Sequence, residues 1–372
     1  MTKTVTPDFA SNAYAVIMAG GRGERFWPLS RISRPKQFLD IFGGTPLLGI
    51  AVERLQGLIP PERILIITSA DLVEASRAAA PTLPAENVIG EPFGRDTAAA
   101  CALGTALVAA RQGGDSATVA ILTADQLMED LDVYRQTLRD AHALAAAEPV
   151  IVTIGITPTY AATGFGYVEV AEPLDFAAPT EFHKVARFVE KPDAETAAAY
   201  VVGGRHFWNA GMFIWSVSTF NAALQRSKPE LAAAIEAVKP AIGTPAFAAA
   251  LESAYNKIER ISVDYAVMEH ADNIAMARGK FGWDDVGSWT AIGSHFPADE
   301  ADNVRLGATE LMNARGNIVV SDADHLVAVY GADDLVVVHT GDATLVCPRD
   351  KVAEIKGLVA RIGQRPDGAK LT

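Results

Sequence analysis

Ala15-Val16-Ile17-Met18-Ala19-Gly20-Gly21-Arg22-Gly23-Glu24-Arg25-Phe26-Trp27-Pro28-Leu29-Ser30 is the stretch on which the reading of the fold turns. Ala15 to Met18 form an apolar run without polar alternation, the pattern of a strand covered on both faces. Glycines placed directly after such a strand let the backbone turn sharply and bring N–H groups close to a ligand, an arrangement that cradles phosphates. An ordinary tight turn would use glycine here as well. Two well-known phosphate loops do not fit: a dinucleotide fingerprint needs glycine where Phe26 stands, and the Gly-Lys-Ser/Thr of a P-loop is missing. Charge strengthens the phosphate reading. Arg22, Arg25, Arg31, Arg34 and Lys36 fall close together against one acid, Glu24, in a chain of net charge −13.

Outward from this loop, short apolar runs alternate with amphipathic, Ala/Leu-rich ones. Ile64–Ile67 and Val119–Leu122 read as strands, and Leu47–Leu58, Leu72–Ala80 and Thr97–Arg111 as helices. Buried strands separated by helices predict a three-layer α/β, Rossmann-like domain. Ile151–Ile154, Gly164–Val170, Phe188-Val189 and Met212–Trp215 extend the sheet, with helices near Asp193–Val202 and Lys228–Val238. Beyond about His295, short strands separated by Gly/Asp turns predict a small all-β unit. The expected domains are therefore 1–295 and 296–372.

Composition narrows the classes of function. At 372 residues, with 49% hydrophobic and 21% charged residues, the chain is an ordinary globular protein with room for two or three domains of ~150 residues. Its acidity argues against general nucleic-acid binding, which needs a basic surface. One local basic cluster still suffices for a phosphorylated small molecule. Cys101 and Cys347 lie outside any C-x-x-C pattern, and the seven histidines lack metal-ligand spacing. A chain with no secretory-type start and no run of ~18 apolar residues is expected in the cytoplasm, without a membrane partner.

The loop with the following Arg34-Pro35-Lys36-Gln37-Phe38 resembles the signature of the sugar-nucleotide pyrophosphorylases, and most of all the GDP-mannose pyrophosphorylases. The resemblance recurs at Glu91-Pro92-Phe93-Gly94-Arg95-Asp96-Thr97-Ala98, Thr123-Ala124-Asp125, Thr163-Gly164-Phe165-Gly166-Tyr167, Phe188-Val189-Glu190-Lys191-Pro192, Trp208-Asn209-Ala210-Gly211 and Trp283-Asp284-Asp285-Val286-Gly287-Ser288-Trp289. It implies a nucleotidyltransferase domain with a mixed, mostly parallel sheet and a β-helix-like C-terminal domain. The implied reaction converts GTP and α-D-mannose 1-phosphate into GDP-mannose and pyrophosphate. The same chemistry on another sugar phosphate or NTP, or a non-catalytic GDP-mannose-binding paralogue, are the alternatives.

Residue by residue, the resemblance assigns Arg25 and Lys36 to catalysis and Gly20, Gly21, Arg22 and Gly23 to the nucleotide phosphates. Pro92, Arg95, Asp96 and Thr97 are implied at the nucleotide, although Asp96 or Thr97 could equally be an ordinary helix N-terminal residue. Gly164, Glu190, Lys191 and Asn209 are implied at the sugar phosphate. Asp125 ends an apolar strand, where α/β sheets place ligands, and with Asp285 it matches the family's Mg²⁺ site. Many relatives have Asn where Asp96 stands and His where Gln126 stands, and longer ones carry a fused isomerase domain, which is not expected here. A homodimer is the expected assembly.

Overall fold

The computed structural model describes all residues except 1–11, 22, 112–113 and 323. Two compact units divide the chain. The first comprises residues 1–20, 49–124 and 128–283; the second comprises 21–48, 125–127 and 284–372.

The first unit is built on a nine-stranded sheet. Its strands are β1 (Ala13–Ala19), β2 (Ile64–Ser69), β3 (Val88–Glu91), β4 (Thr118–Thr123), β5 (Ile151–Ile156), β6 (Tyr167–Pro173), β7 (Phe182–Val189), β8 (His206–Ser216) and β9 (Ile274–Gly279). They are arranged β3-β2-β1-β4-β8-β5-β9-β7-β6, with an extra pairing of β8 to β6. The first four strands are parallel, as their continuous apolar runs predict. The long strand β8 enters between β4 and β5 antiparallel to both, which makes the sheet mixed. Alternation cannot show this, because a strand covered on both faces looks alike in either direction.

Helices α1 (Val73–Ala79), α2 (Thr97–Arg111), α3 (Leu131–Ala147), α4 (Ala194–Gly203), α5 (Val217–Ser227), α6 (Pro229–Glu236) and α7 (Phe247–Tyr255) belong to this unit. The Ala-rich α2 is buried along most of its length, in a core that also holds Trp215, Phe220 and Tyr255. Small side chains let it lie close against its neighbours. His142 of α3 is wholly buried with Nδ1 2.8 Å from Thr118 Oγ1, and burial pulls its pKa down to about 3, so it is neutral.

The second unit joins the glycine-loop segment to the C-terminal strands, so compactness cuts across the chain-order division at 295. Strands β10 (Val304–Leu306), β12 (Ile318–Ser321) and β14 (Leu335–His339) stack in parallel, and β15 (Thr344–Pro348) closes antiparallel on β14. Beside them β11 (Thr309–Met312) pairs in parallel with β13 (Val327–Tyr330). Asn303 and Asn317 stack between successive turns at 3.0 Å, which satisfies buried backbone groups. Into the core of Ile318, Val336 and Val338 go Phe26, Trp27 and Leu29 of the loop and Trp289. Phe26 meets Trp289 edge to face at 5.7 Å, and the Trp289 indole N–H donates to Trp27 O at 3.3 Å. Aromatic residues of two distant motifs therefore anchor each other. Helix α8 (Ile355–Gly363) completes this unit. Among the described residues, no helix is long and apolar enough to cross a membrane.

Candidate active site

Within the second unit, Gly23 decides the shape of the loop. Its φ is +61°, and a Cβ there would lie 2.3 Å from Lys36 Cβ and 2.7 Å from Lys36 N. Only glycine tolerates both conditions. Ser30 Oγ donates to Gly23 O at 2.7 Å and closes the turn. Gly20 and Gly21, by contrast, have open space where a side chain would start.

Lys36 is only 6% exposed. Its Nζ donates to Asp125 Oδ2 at 3.0 Å and to Asp285 O at 2.6 Å, and lies 5.6 Å from the Phe26 ring centroid. A buried ammonium is tolerated only with such compensation. Burial raises the pKa of Asp285; Lys36 opposes that rise, Asp284 and Asp125 add to it, and the Gly287 N–H opposes it. Lys36, Asp125 and Asp285 are thus brought together from three separated segments. Arg25 is exposed, without a hydrogen bond or ion pair among the described residues, and Arg22 lies outside those residues. Asp284 is occupied differently: Oδ1 accepts the Val286 N–H at 2.6 Å, and Oδ2 is 2.8 Å from His295 Nε2.

In the first unit, β7 delivers Glu190 and Lys191 to a second cluster. Lys191 takes a positive φ of 46° and its ammonium contacts Glu190 Oε1. Burial works against the Lys191 charge, but Glu190, joined by Asp264, holds its pKa above the ordinary lysine value. A Cβ on Gly166 would fall 2.6 Å from Glu190 Oε2, so the absence of a side chain there lets Glu190 pack close. Asn209, on β8, is held at both ends of its amide. Its Oδ1 accepts Thr153 Oγ1–H at 3.0 Å and the Gly211 N–H at 3.2 Å, and its Nδ2 donates to Asp264 Oδ1 at 3.3 Å. Gly164 has open space around it.

The motif at the head of α2 is tied down more than the sequence suggests. Arg95 Nε donates to Tyr255 O at 2.8 Å while its guanidinium lies 4.8 Å from the Phe93 ring centroid. Asp96, at φ +66°, accepts the Thr97 N–H at 2.9 Å and has Arg260 Nε at 3.7 Å. Thr97 Oγ1 accepts the Val263 N–H at 2.8 Å. Pro92 is half-buried beside them.

Sequence reasoning misses two acids here. Glu91 ends β3 and is pushed up to about 7 by burial, against the Tyr255 hydroxyl that donates to it at 2.8 Å. Asp264 opens a π-helical turn, Asp264–Met268, a form frequent at functional sites. Burial pushes its pKa up to about 6, with Glu190 adding to the rise and Lys191 opposing it. The available signal is an acid set among Val263, Ala266, Val267 and Met268, all buried.

The nucleotidyl transferase family matches residues 14–302, and the mannoseP isomerase/GMP-like β-helix domain matches 311–362. A mannose-1-phosphate guanylyltransferase of Sinorhizobium fredii (strain NBRC 101917 / NGR234) is 36% identical over 96% of this chain and 69% of its own length. This chain belongs to the mannose-1-phosphate guanylyltransferases, within the nucleotidyl transferase family. An Escherichia coli (strain K12) member is also 36% identical, over 95% of this chain and 74% of its own. A crystal structure from Thermus thermophilus, named a mannose-1-phosphate geranyltransferase, superposes with a TM-score of 0.83 at 36% identity. The match covers 94% of this chain and 99% of that one. As a family member the chain is an enzyme, a nucleotidyltransferase with an α/β domain and a β-helix-like domain.

Proposed function

We propose that this chain transfers the guanylyl group of GTP to α-D-mannose 1-phosphate, giving GDP-mannose and pyrophosphate. A phosphate oxygen of the sugar phosphate forms a bond to the α-phosphorus of GTP, while the bond from that phosphorus to the β-phosphate bridge breaks. The nucleophile is already an anion near neutral pH, so no general base is required. The barrier is the approach of two polyanions and the charge on the departing pyrophosphate.

Lys36 and Arg25 meet that charge, with Arg22 and the backbone N–H groups of Gly20, Gly21 and Gly23 on the triphosphate. Pro92, Arg95, Asp96 and Thr97 lie with the nucleoside; Gly164, Glu190, Lys191 and Asn209 hold the sugar phosphate. Asp125 and Asp285 suit Mg²⁺: they are hard oxygen donors whose joint charge Lys36 offsets only in part, and Mg²⁺ typically takes one or two carboxylates plus phosphate oxygens. Bound there, it would supply Lewis-acid stabilisation of the α-phosphate. Residues 1–295 act as the catalytic module and 296–372 as its β partner, in a cytoplasmic homodimer.

The observation that carries this reading is the convergence of Lys36, Asp125 and Asp285. Pyrophosphate release from GTP, mannose 1-phosphate and Mg²⁺ tests it, repeated with four NTPs and several sugar phosphates. Fastest turnover with GTP and mannose 1-phosphate is expected. GDP-mannose binding without release would point to the non-catalytic alternative.

A further inference from the structure

Asp264 and Asn209 come from distant segments, a π-helical turn and a strand, and share one hydrogen bond of 3.3 Å. The amide of Asn209 has little freedom left. Both acceptor positions of Oδ1 are taken, by Thr153 and Gly211, and one Nδ2 hydrogen goes to Asp264. An amide nitrogen carries two donors, so one N–H remains, in a direction that the other three bonds set. Asp264 likewise commits Oδ1 to the amide, and no other residue's side chain donates to its Oδ2 among the described residues. The pair therefore presents a fixed donor next to a fixed acceptor.

The surroundings decide what such a pair would read. Glu190 and Lys191 act electrostatically on Asp264, so all four groups share one neighbourhood of the first unit. Phosphate recognition would need cations, and Lys191 supplies one. The carboxylates of Asp264 and Glu190 would repel a phosphate but accept hydrogen bonds from neutral hydroxyls. A sugar with two adjacent hydroxyls can donate from one oxygen and accept at the other, which complements a carboxylate–amide pair.

We infer that Asp264 is a specificity-determining residue that, together with the remaining N–H of Asn209, binds a pair of adjacent hydroxyls on the sugar of the sugar-phosphate substrate. The inference rests on the reading of the Glu190–Lys191–Asn209 cluster as the sugar-phosphate site. Burial disfavours an unpaired Asp264 carboxylate, in keeping with a group that gains partners when substrate arrives.

The test is kcat/KM for mannose 1-phosphate and its 2-, 3-, 4- and 6-deoxy analogues, in the wild type, Asp264→Asn and Asp264→Ser. A site built to bond a hydroxyl rejects an analogue lacking it, because buried polar groups are left unpaired. The wild type should therefore lose at least ~10²-fold on one or two analogues. Both variants should lose at least ~10-fold on mannose 1-phosphate yet change less than ~3-fold on the analogue lacking the hydroxyl that Asp264 reads. Equal losses on every sugar would show a merely structural role and overturn the inference. If Asp264→Asn does not fold, as judged by its melting curve, Asp264→Ser is decided by the same criterion. If neither folds, a wild type indifferent to every deoxy analogue overturns it and one that rejects an adjacent pair supports it. A wild type that turns over no sugar phosphate would instead remove the underlying functional reading.

Discussion

Two lysines, one in each compact unit, are held in opposite ways. Lys36 is buried, pressed against Gly23, and bonded to a carboxylate and a carbonyl while facing an aromatic ring. Lys191 has a side chain 60% exposed and contacts the neighbouring Glu190. A cation fixed in advance loses little on reaction and is suited to charge that develops only in the transition state. An exposed, solvated cation attracts a phosphate that is charged before and after reaction, which lowers KM without raising kcat.

The largest effects should come from the pinned cluster and from the exposed Arg25. Asp125→Asn and Asp285→Asn should each nearly abolish turnover, and Lys36→Ala and Arg25→Ala should lower kcat by at least ~10²-fold. Asp284→Asn should be milder, since its carboxylate serves Val286 and His295. Steady-state assays at saturating substrates check all five. Full activity in Asp285→Asn with loss in Asp284→Asn would break the comparison by exchanging the two acids.

Next in size is the exposed cation. Lys191→Ala should raise KM for mannose 1-phosphate about 10-fold with kcat within a few-fold, as befits a contact made equally in ground and transition states. An unchanged KM would remove Lys191 from the sugar phosphate. A smaller, pH-dependent effect should follow from Asp264. Burial pushes its carboxyl up to about 6, so below that pH it is neutral and a weaker acceptor for the sugar hydroxyl, while Lys191 keeps its charge. KM for the sugar phosphate should rise as pH falls through 6, partly because the substrate phosphate also titrates. The enzyme's own share of that rise should vanish in Asp264→Asn.

The last effect is on stability rather than turnover. Glu91 moves from 4.5 to about 7 on folding, so between those values the folded chain keeps a proton that the unfolded chain has released. Folding is opposed progressively as pH rises through that window, by up to about 3 kcal/mol above it. Glu91→Gln should therefore raise the urea midpoint at pH 8, and the gain should disappear near pH 4. A variant destabilised at pH 8 would show that the ionised carboxylate contributes bonding that Gln cannot replace.

Much of the fold is legible because local patterns report local hydrogen bonding. Ala15–Met18, Ile64–Ile67 and Val119–Leu122 fall inside strands β1, β2 and β4, and Thr97–Arg111 is helix α2 from end to end. Helices α3, α5 and α7 escape such a reading, since Ala-rich or mixed sequence marks their ends weakly. At the site, motif residues such as Lys36 and Asn209 stand out in the sequence, whereas Asp264 does not. Its neighbours look like an ordinary buried helix, and only the position of Asn209 reveals what the acid faces.

A parallel α/β start, a glycine loop rich in cations, a β-rich end and the residue types needed for phosphate chemistry are all written along the chain. Those features depend on side-chain period, backbone freedom and charge, which are properties of neighbours in sequence. Only the folded arrangement shows that β8 runs antiparallel between β4 and β5, and that Phe26 and Trp27 share a core with Trp289 and the C-terminal strands. It also sets Lys36 between Asp125 and the Asp285 carbonyl, and Asp264 against Asn209. Such pairings join residues far apart in sequence, and they form because burying apolar surface and compensating buried charge favour one arrangement of the whole chain.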